Sequence, residues 1–153
     1  MAGGDRLVSL PTALPSGPGE IAREIRVAAP PEVVFSYFTD PSRLVRWQGT
    51  SAELDPRPGG LFRVNFASGL SVSGRYVEVV PPTTLVYTWG WEAEGAALPP
   101  GASTVEISLE PAGDDTLLRV RHDGLPEAMF EFHRSGWDEC LAELARVLAL
   151  PED

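Results

Sequence analysis

The chain has 153 residues, 43% of them hydrophobic and 22% charged, with a formal net charge of -10. That length and balance fit one domain around a single core and exclude wholesale disorder, and no apolar run is long enough to cross a bilayer. The twelve Lys/Arg positions are all Arg, and the excess of acid argues against a nucleic-acid backbone or an anionic membrane surface as partner, since both need clustered positive charge.

Residues 1–18, MAGGDRLVSLPTALPSGP, lack the basic start and continuous apolar stretch of a signal peptide. They read as a Gly/Pro-rich extension with a short strand around Leu7 to Leu10, and a single domain is expected over 19–153. In IAREIRV, Ile21, Ile25 and Val27 share one side at period two, against Glu24 and Arg26, which predicts a half-buried strand. Arg23 interrupts its apolar face. A guanidinium there needs an anion, either a protein Asp/Glu or a ligand carboxylate, unless it sits at the exposed end of the strand.

Pro31 suits a first helical turn, Val34, Phe35 and Phe38 share a helical face, and Thr39-Asp40-Pro41 stops that helix. A second short helix is expected from Pro41 to Trp47. From Ala52 onward the pattern is of strands. Phe62, Val64 and Phe66 alternate with Arg63 and Asn65, Ala67-Ser68-Gly69 makes a hairpin turn, and LSVSGRYVEVV returns until Pro81-Pro82. Leu85, Tyr87, Trp89 and Trp91 then form the densest aromatic row. After a Gly/Ala/Pro-rich loop at 92–102, Val105, Ile107 and Leu109 face the same side as Leu118, Val120 and His122 in a further hairpin. From about Pro126 to Leu150 a helix places Phe130, His133, Trp137, Leu141, Leu144 and Leu148 on one stripe, with Glu131, Ser135, Asp138, Glu139, Glu143 and Arg146 opposite.

The order of one strand, two short helices, a run of strands and a long helix indicates an α+β fold. The economical form is a curved antiparallel sheet of about seven strands wrapped around the C-terminal helix, each covering the other's apolar face. The stretches IRVAAPPEVVFSYFTDPSRLVRWQG, DPRPGGLFRV, SGRYVEVVPPTTLVYTWGWE and HRSGWDECLAEL, spread over roughly residues 19–150, resemble the START/SRPBCC superfamily, the helix-grip fold shared with the birch pollen allergen. The branch they resemble most is that of the activator of heat-shock protein 90 ATPase. The resemblance implies a cavity between sheet and terminal helix that takes a small hydrophobic molecule. Some members of the superfamily cyclise polyketides, others carry lipids or hormones, and the eukaryotic co-chaperone binds its chaperone. The co-chaperone's further N-terminal domain has no counterpart in this sequence, so its ATPase-activating role does not follow from the likeness.

With such a cavity in view, Gly136 is conspicuous, because a glycine inside a helix costs about 1 kcal/mol relative to alanine. Either a close approach to the sheet or to a ligand offsets that cost, or the glycine relieves a packing clash. His133, one turn before Trp137, either faces the cavity or is a hydrogen-bonded residue at the core edge. His122 ends a strand at the expected cavity mouth. The candidate lining is Trp47, Phe62, Val64, Tyr76, Tyr87, Trp89, Trp91, Val120, His122, Phe130, His133 and Trp137, with His133, His122 and Tyr87 as the weak candidates for acid–base chemistry.

Other signatures fail. Two histidines lack a third ligand, and Cys140 lies too far round the helix from His133, so neither a metal nor another cofactor is expected. GLSVSGR lacks the Lys-Ser/Thr of a phosphate-binding loop, and there is no G-x-S-x-G elbow. Cys140 is the sole cysteine, so no intrachain disulfide forms, which fits a reducing cytoplasm. The leading expectation is binding of a small hydrophobic or aromatic ligand. A cyclase- or hydratase-like enzyme and a chaperone-associated protein are the alternatives. A homodimer through a strand edge or the acidic helix face is compatible with the sequence, which does not demand one.

Overall fold

A computed structural model describes residues 9–150. The chain runs β1 (Thr12–Ala13), β2 (Ile21–Val27), α1 (Pro31–Thr39), α2 (Pro41–Leu44), β3 (Ser51–Leu54), β4 (Leu61–Asn65), β5 (Ser71–Val80), β6 (Thr84–Trp91), β7 (Ser103–Ala112), β8 (Asp115–Asp123) and α3 (Glu127–Ala149). The strands form one eight-stranded sheet in the order β1-β2-β8-β7-β6-β5-β4-β3, antiparallel throughout. The first full strand thus pairs with the last, and α1 and α2 carry the chain from that side of the sheet to its far edge at β3. With α3 laid across the apolar face, this is the helix-grip arrangement.

The strands form where apolar residues alternate. Val105, Ile107 and Leu109 on β7 lie opposite His122, Val120 and Leu118 on β8, and all six are buried. The connecting turn uses Gly113 at φ +65°, a left-handed conformation that costs glycine little. On β6 the expected row of Leu85, Tyr87, Trp89 and Trp91 is buried as well. Tyr87 stacks on Phe62 of β4 with ring centroids 4.1 Å apart. A register shift between Tyr76 and Glu78 interrupts the β5–β6 ladder and kinks β5 locally. Each fully buried large side chain contributes about 1.5–3 kcal/mol of hydrophobic stabilisation.

Several boundaries differ from the sequence reading. The eighth strand is the two-residue β1, where Thr12 and Ala13 pair with Glu24 and Arg23. The strand expected at Leu7 to Leu10 is not seen at Ser9 and Leu10, while Leu7 and Val8 lie outside the described residues. The second helix ends at Leu44 and passes through a turn to Trp47, whose indole N–H donates to the Tyr37 carbonyl at 2.9 Å. Asp40 caps α2 by accepting from the Ser42 amide at 3.0 Å and its hydroxyl at 2.8 Å, which holds the carboxyl below its ordinary pKa.

Arg23 is not at an exposed strand end. Its side chain is only 11% exposed, and its Nε donates to Asp138 of α3 at 2.7 Å while one terminal nitrogen donates to the Ala22 carbonyl at 3.0 Å. The anion it needs is supplied by the protein. Asp138, placed by helical periodicity on the solvent face, therefore clamps the helix flank to β2 and also accepts from Arg134 at 3.3 Å. Asp138→Ala is expected to destabilise the protein by about 2 kcal/mol, because it leaves a largely buried guanidinium short of its counter-ion. Urea unfolding of the variant would show this; an unchanged midpoint would mean that water serves Arg23 equally well.

Candidate ligand-binding site

α3 is organised in three rows of residues spaced four apart. His133, Trp137 and Leu141 are buried against the sheet. Arg134 and Asp138 lie on the β2 side, where Asp138 accepts from both Arg23 and Arg134. Phe132, Gly136 and Cys140 form the row on the other flank, and there the helix stands away from the sheet. The gap is a cavity of about 400 Å³. Its remaining walls are Trp89 and Trp91 from β6, Phe66, Ser68 and Leu70 from the β4–β5 hairpin, and Gln48 from the segment after α2. Leu70 and Phe132, 46% and 60% exposed, are large apolar side chains that face solvent at its rim.

Gly136 has no close neighbour: a Cβ built on it meets no atom within 4 Å outside its own helix turn and chain neighbours. It neither relieves a clash nor lets the helix approach the sheet, which leaves the third explanation that the sequence offered, room for a ligand. Its missing side chain enlarges the cavity.

The polar groups under the cavity form two chains of hydrogen bonds. The Trp137 indole donates to His122 Nδ1 at 2.9 Å, so the proton of this imidazole sits on Nε2 and is given to Ser103 Oγ at 2.8 Å; that hydroxyl in turn donates to the Trp89 carbonyl at 2.7 Å. His133 has the opposite tautomer. Its Nδ1–H donates to the Met129 carbonyl at 2.8 Å, and its Nε2 accepts from the indoles of both Trp89 and Trp91, each at 3.1 Å. The two imidazoles stand perpendicular with centroids 5.4 Å apart.

Burial, and to a smaller degree the neighbouring His133, lowers the pKa of His122 to about 3. Burial also lowers that of His133, opposed by its bond to the Met129 carbonyl. Both rings are neutral near pH 7, and neither presents a free nitrogen to the cavity. Burial raises the Tyr87 phenol well above its ordinary value, and its hydroxyl has no partner. The Cys140 thiol is pushed up to about 11 by burial and then by Glu139 and Glu143, so it is no ready nucleophile.

Of the residues the sequence nominated as lining, Trp89, Trp91, His133 and Trp137 border the cavity. Trp47, Phe62, Val64, Tyr76, Tyr87 and Val120 lie in the core around it, and His122 is a buried polar residue beside them. His122 in particular is fully buried rather than at the mouth, because its strand is flanked by β2 and β7 and covered by Trp137. Phe130 belongs to the β2 flank of α3 and borders a separate depression against residues 16–20. Sequence reasoning missed Gln48, Phe66, Ser68 and Leu70, which lie outside regular periodic segments or at their ends. Phe132 and Cys140 carried a signal, since they share a four-residue spacing with Gly136. Among the described residues, no group of three or more His, Cys, Asp or Glu side chains could hold a metal ion, and no helix is long and apolar enough to cross a membrane.

A curved sheet gripping a C-terminal helix, with an apolar cavity along one flank of that helix, defines a START/SRPBCC-type domain. The family model for Activator of Hsp90 ATPase homolog 1-like protein matches residues 28–149, and the chain belongs to that family. Protein CV1439 from Chromobacterium violaceum is 31% identical, with 88% of this chain and 100% of that one covered and a TM-score of 0.76. CalU16 from Micromonospora echinospora is 32% identical over 94% of this chain and 84% of its own, with a TM-score of 0.64. PFC0360w, an HSP90 activator from Plasmodium falciparum, is 26% identical over 88% and 99%, with a TM-score of 0.72. The comparison with curated proteins found no match.

Two outcomes are expected from this geometry. Gly136→Ala places its methyl in open space and stabilises the protein by about 1 kcal/mol through helix propensity; a lower denaturation midpoint would show that the backbone there depends on glycine. The second concerns pH. The folded state holds His122 neutral down to about pH 3, whereas the unfolded chain protonates it near 6.5. The unfolded state therefore binds more protons between those values, and stability falls as the pH is lowered through them. The stability advantage of the wild type over His122→Asn should shrink by about 1 kcal/mol per pH unit below about 6. A difference that does not change with pH would mean that the ring titrates normally in the fold.

Proposed function

We propose that the protein binds a small, uncharged hydrophobic or aromatic molecule in the cavity between β6, the β4–β5 hairpin and α3. The observation that carries this reading is Gly136: a helix otherwise well packed gives up propensity at the one position where a side chain would enter empty apolar space. The volume of about 400 Å³ lies within the range of small-molecule sites. Its walls are rich in aromatic rings, with Phe66 and Phe132 each packed against Trp91, which favours flat apolar ligands. No carboxylate or guanidinium lines it.

The cyclase- or hydratase-like alternative has less support, because both imidazoles already use both nitrogens and the Tyr87 hydroxyl lies in the core. Association with a chaperone ATPase is favoured by a different observation, the family match together with the likeness to the Plasmodium HSP90 activator. The exposed Phe132 and Leu70 would then be the apolar surface available to such a partner.

Native mass spectrometry of the purified protein, with extraction of any bound compound, tests the ligand reading, supported by titration with the neutral dye Nile red. The wild type should bind the dye, and Gly136→Leu, whose side chain projects into the cavity and obstructs it, should bind it at least about tenfold more weakly while keeping its fold. Equal binding by both proteins, or none by either, would overturn the assignment.

A further inference from the structure

α3 is held to the sheet unevenly along its length. Its C-terminal part buries Trp137, Leu141, Leu144, Ala145, Val147 and Leu148. Toward its start no residue from Glu127 to Phe132 is buried, and Met129 and Phe130 are only half covered. Pro126 stands at the N-cap position and gives the first amides no side-chain partner. His133 is thus the first buried residue of the helix, and it anchors the opening two turns to β6. Gly136, the only glycine of α3, lies between this anchor and Trp137, where the helical backbone has least support of its own.

The anchor works in one protonation state only. Neutral His133 accepts at Nε2 from the Trp89 and Trp91 indoles, each at 3.1 Å, while its Nδ1–H donates to the Met129 carbonyl at 2.8 Å. A proton added at Nε2 turns that acceptor into a third donor, aimed at two indole N–H groups with no lone pair to offer. The imidazolium would also be buried without a counter-ion. The β4–β5 hairpin and the segment after α2 present no charged side chain, and β6 offers only the neutral Tyr87 phenol, deeper in the core. From β8 comes the neutral ring of His122, 5.4 Å away between centroids. On α3 itself the Cys140 thiol is protonated, Arg134 is paired with Glu131, and Asp138 is already shared by Arg134 and by Arg23 of β2.

We infer that His133 is an acid-sensitive latch on the cavity wall. On protonation the ring leaves Trp89 and Trp91 for water, and the first turns of α3, residues 127–135, lift from β6 and widen the mouth at Phe132. Trp137, with its bond to His122, holds the remainder of the helix. The released ring titrates near 6.5, whereas burial makes the docked ring titrate lower. Between those values the released state binds more protons, so it gains on the docked state as the pH falls. One proton is involved, and the gain is up to about tenfold per pH unit. His122, neutral down to about pH 3, takes no part in the upper part of that range. The release needs no ligand in the cavity, so it stands or falls apart from the binding reading above.

Amide hydrogen exchange of the whole protein tests the latch, read residue by residue by NMR from about pH 7 to about pH 4 and corrected for the pH dependence of chemical exchange. Protection over 130–135 should be lower than over 141–148, should fall by up to about tenfold per pH unit below about 6.5, and should respond little to dilute urea, the mark of a local opening. In His133→Gln, whose amide oxygen still accepts from the indoles but takes no proton, that fall should disappear. Protection over 130–135 that ignores pH, that falls equally in His133→Gln, or that shares the urea dependence of 141–148 would overturn the latch. The wild type supplies a second reading that requires no variant to fold: the Trp89 and Trp91 indole N–H resonances should move with the same midpoint as the His133 ring nitrogens. A ring that titrates while both indoles hold their positions, or one that stays neutral until the whole protein unfolds, overturns it equally.

Discussion

The position of α3 on the sheet depends on how two buried imidazoles are satisfied. A polar group removed from water must find its partners inside the protein, and His122 and His133 do so with opposite tautomers. Trp137 of the helix donates to His122 of β8, and His133 of the helix accepts from Trp89 and Trp91 of β6. The helix is thus attached to two strands on either side of β7 by residues one helical turn apart. Sliding it by a residue would orphan two imidazoles and three indoles together, a far larger loss than the few tenths to about 1.5 kcal/mol that a typical hydrogen bond contributes. Hydrophobic burial holds the helix down, but it is non-directional. The imidazole–indole bonds set the register.

The cavity follows from that register. Once the His133 and Trp137 row is seated and Asp138 is bound to Arg23 on one flank, the row of Phe132, Gly136 and Cys140 must overhang the β4–β5 hairpin on the other. A leucine at 136 would project into the gap and narrow it. With glycine there, the space between helix and hairpin stays open.

What the sequence made legible was everything that repeats. Alternation over Phe62 and Val64, over Val105, Ile107 and Leu109, and over Leu118 and Val120 identified strands and their inward faces, and three-and-four spacing identified α3. Partners contributed by distant segments left no periodic trace. Nothing near Arg23 in the chain points to Asp138, 115 residues away, and helical periodicity alone puts Asp138 in solvent. His122 looked like a mouth residue because it ends a strand, yet that strand is interior and is covered by Trp137. Phe130 shared the apolar stripe in projection, but α3 is gripped asymmetrically, so a residue on the β2 flank faces away from the cavity. Gln48, Ser68 and Leu70 sit in turns and loops, where side-chain direction follows from the fold and not from spacing.

Two of the three rows of α3 divide two tasks that small proteins often combine. His133 and Trp137 hold the helix in place with their polar atoms, so their bonds are already committed before any ligand arrives. The neighbouring row makes no hydrogen bond on which the helix's position depends, and its members differ in size from glycine to phenylalanine. Changes at 132, 136 and 140 can therefore reshape the cavity without unseating the helix, whereas changes at 133 or 137 remove structure and site at once.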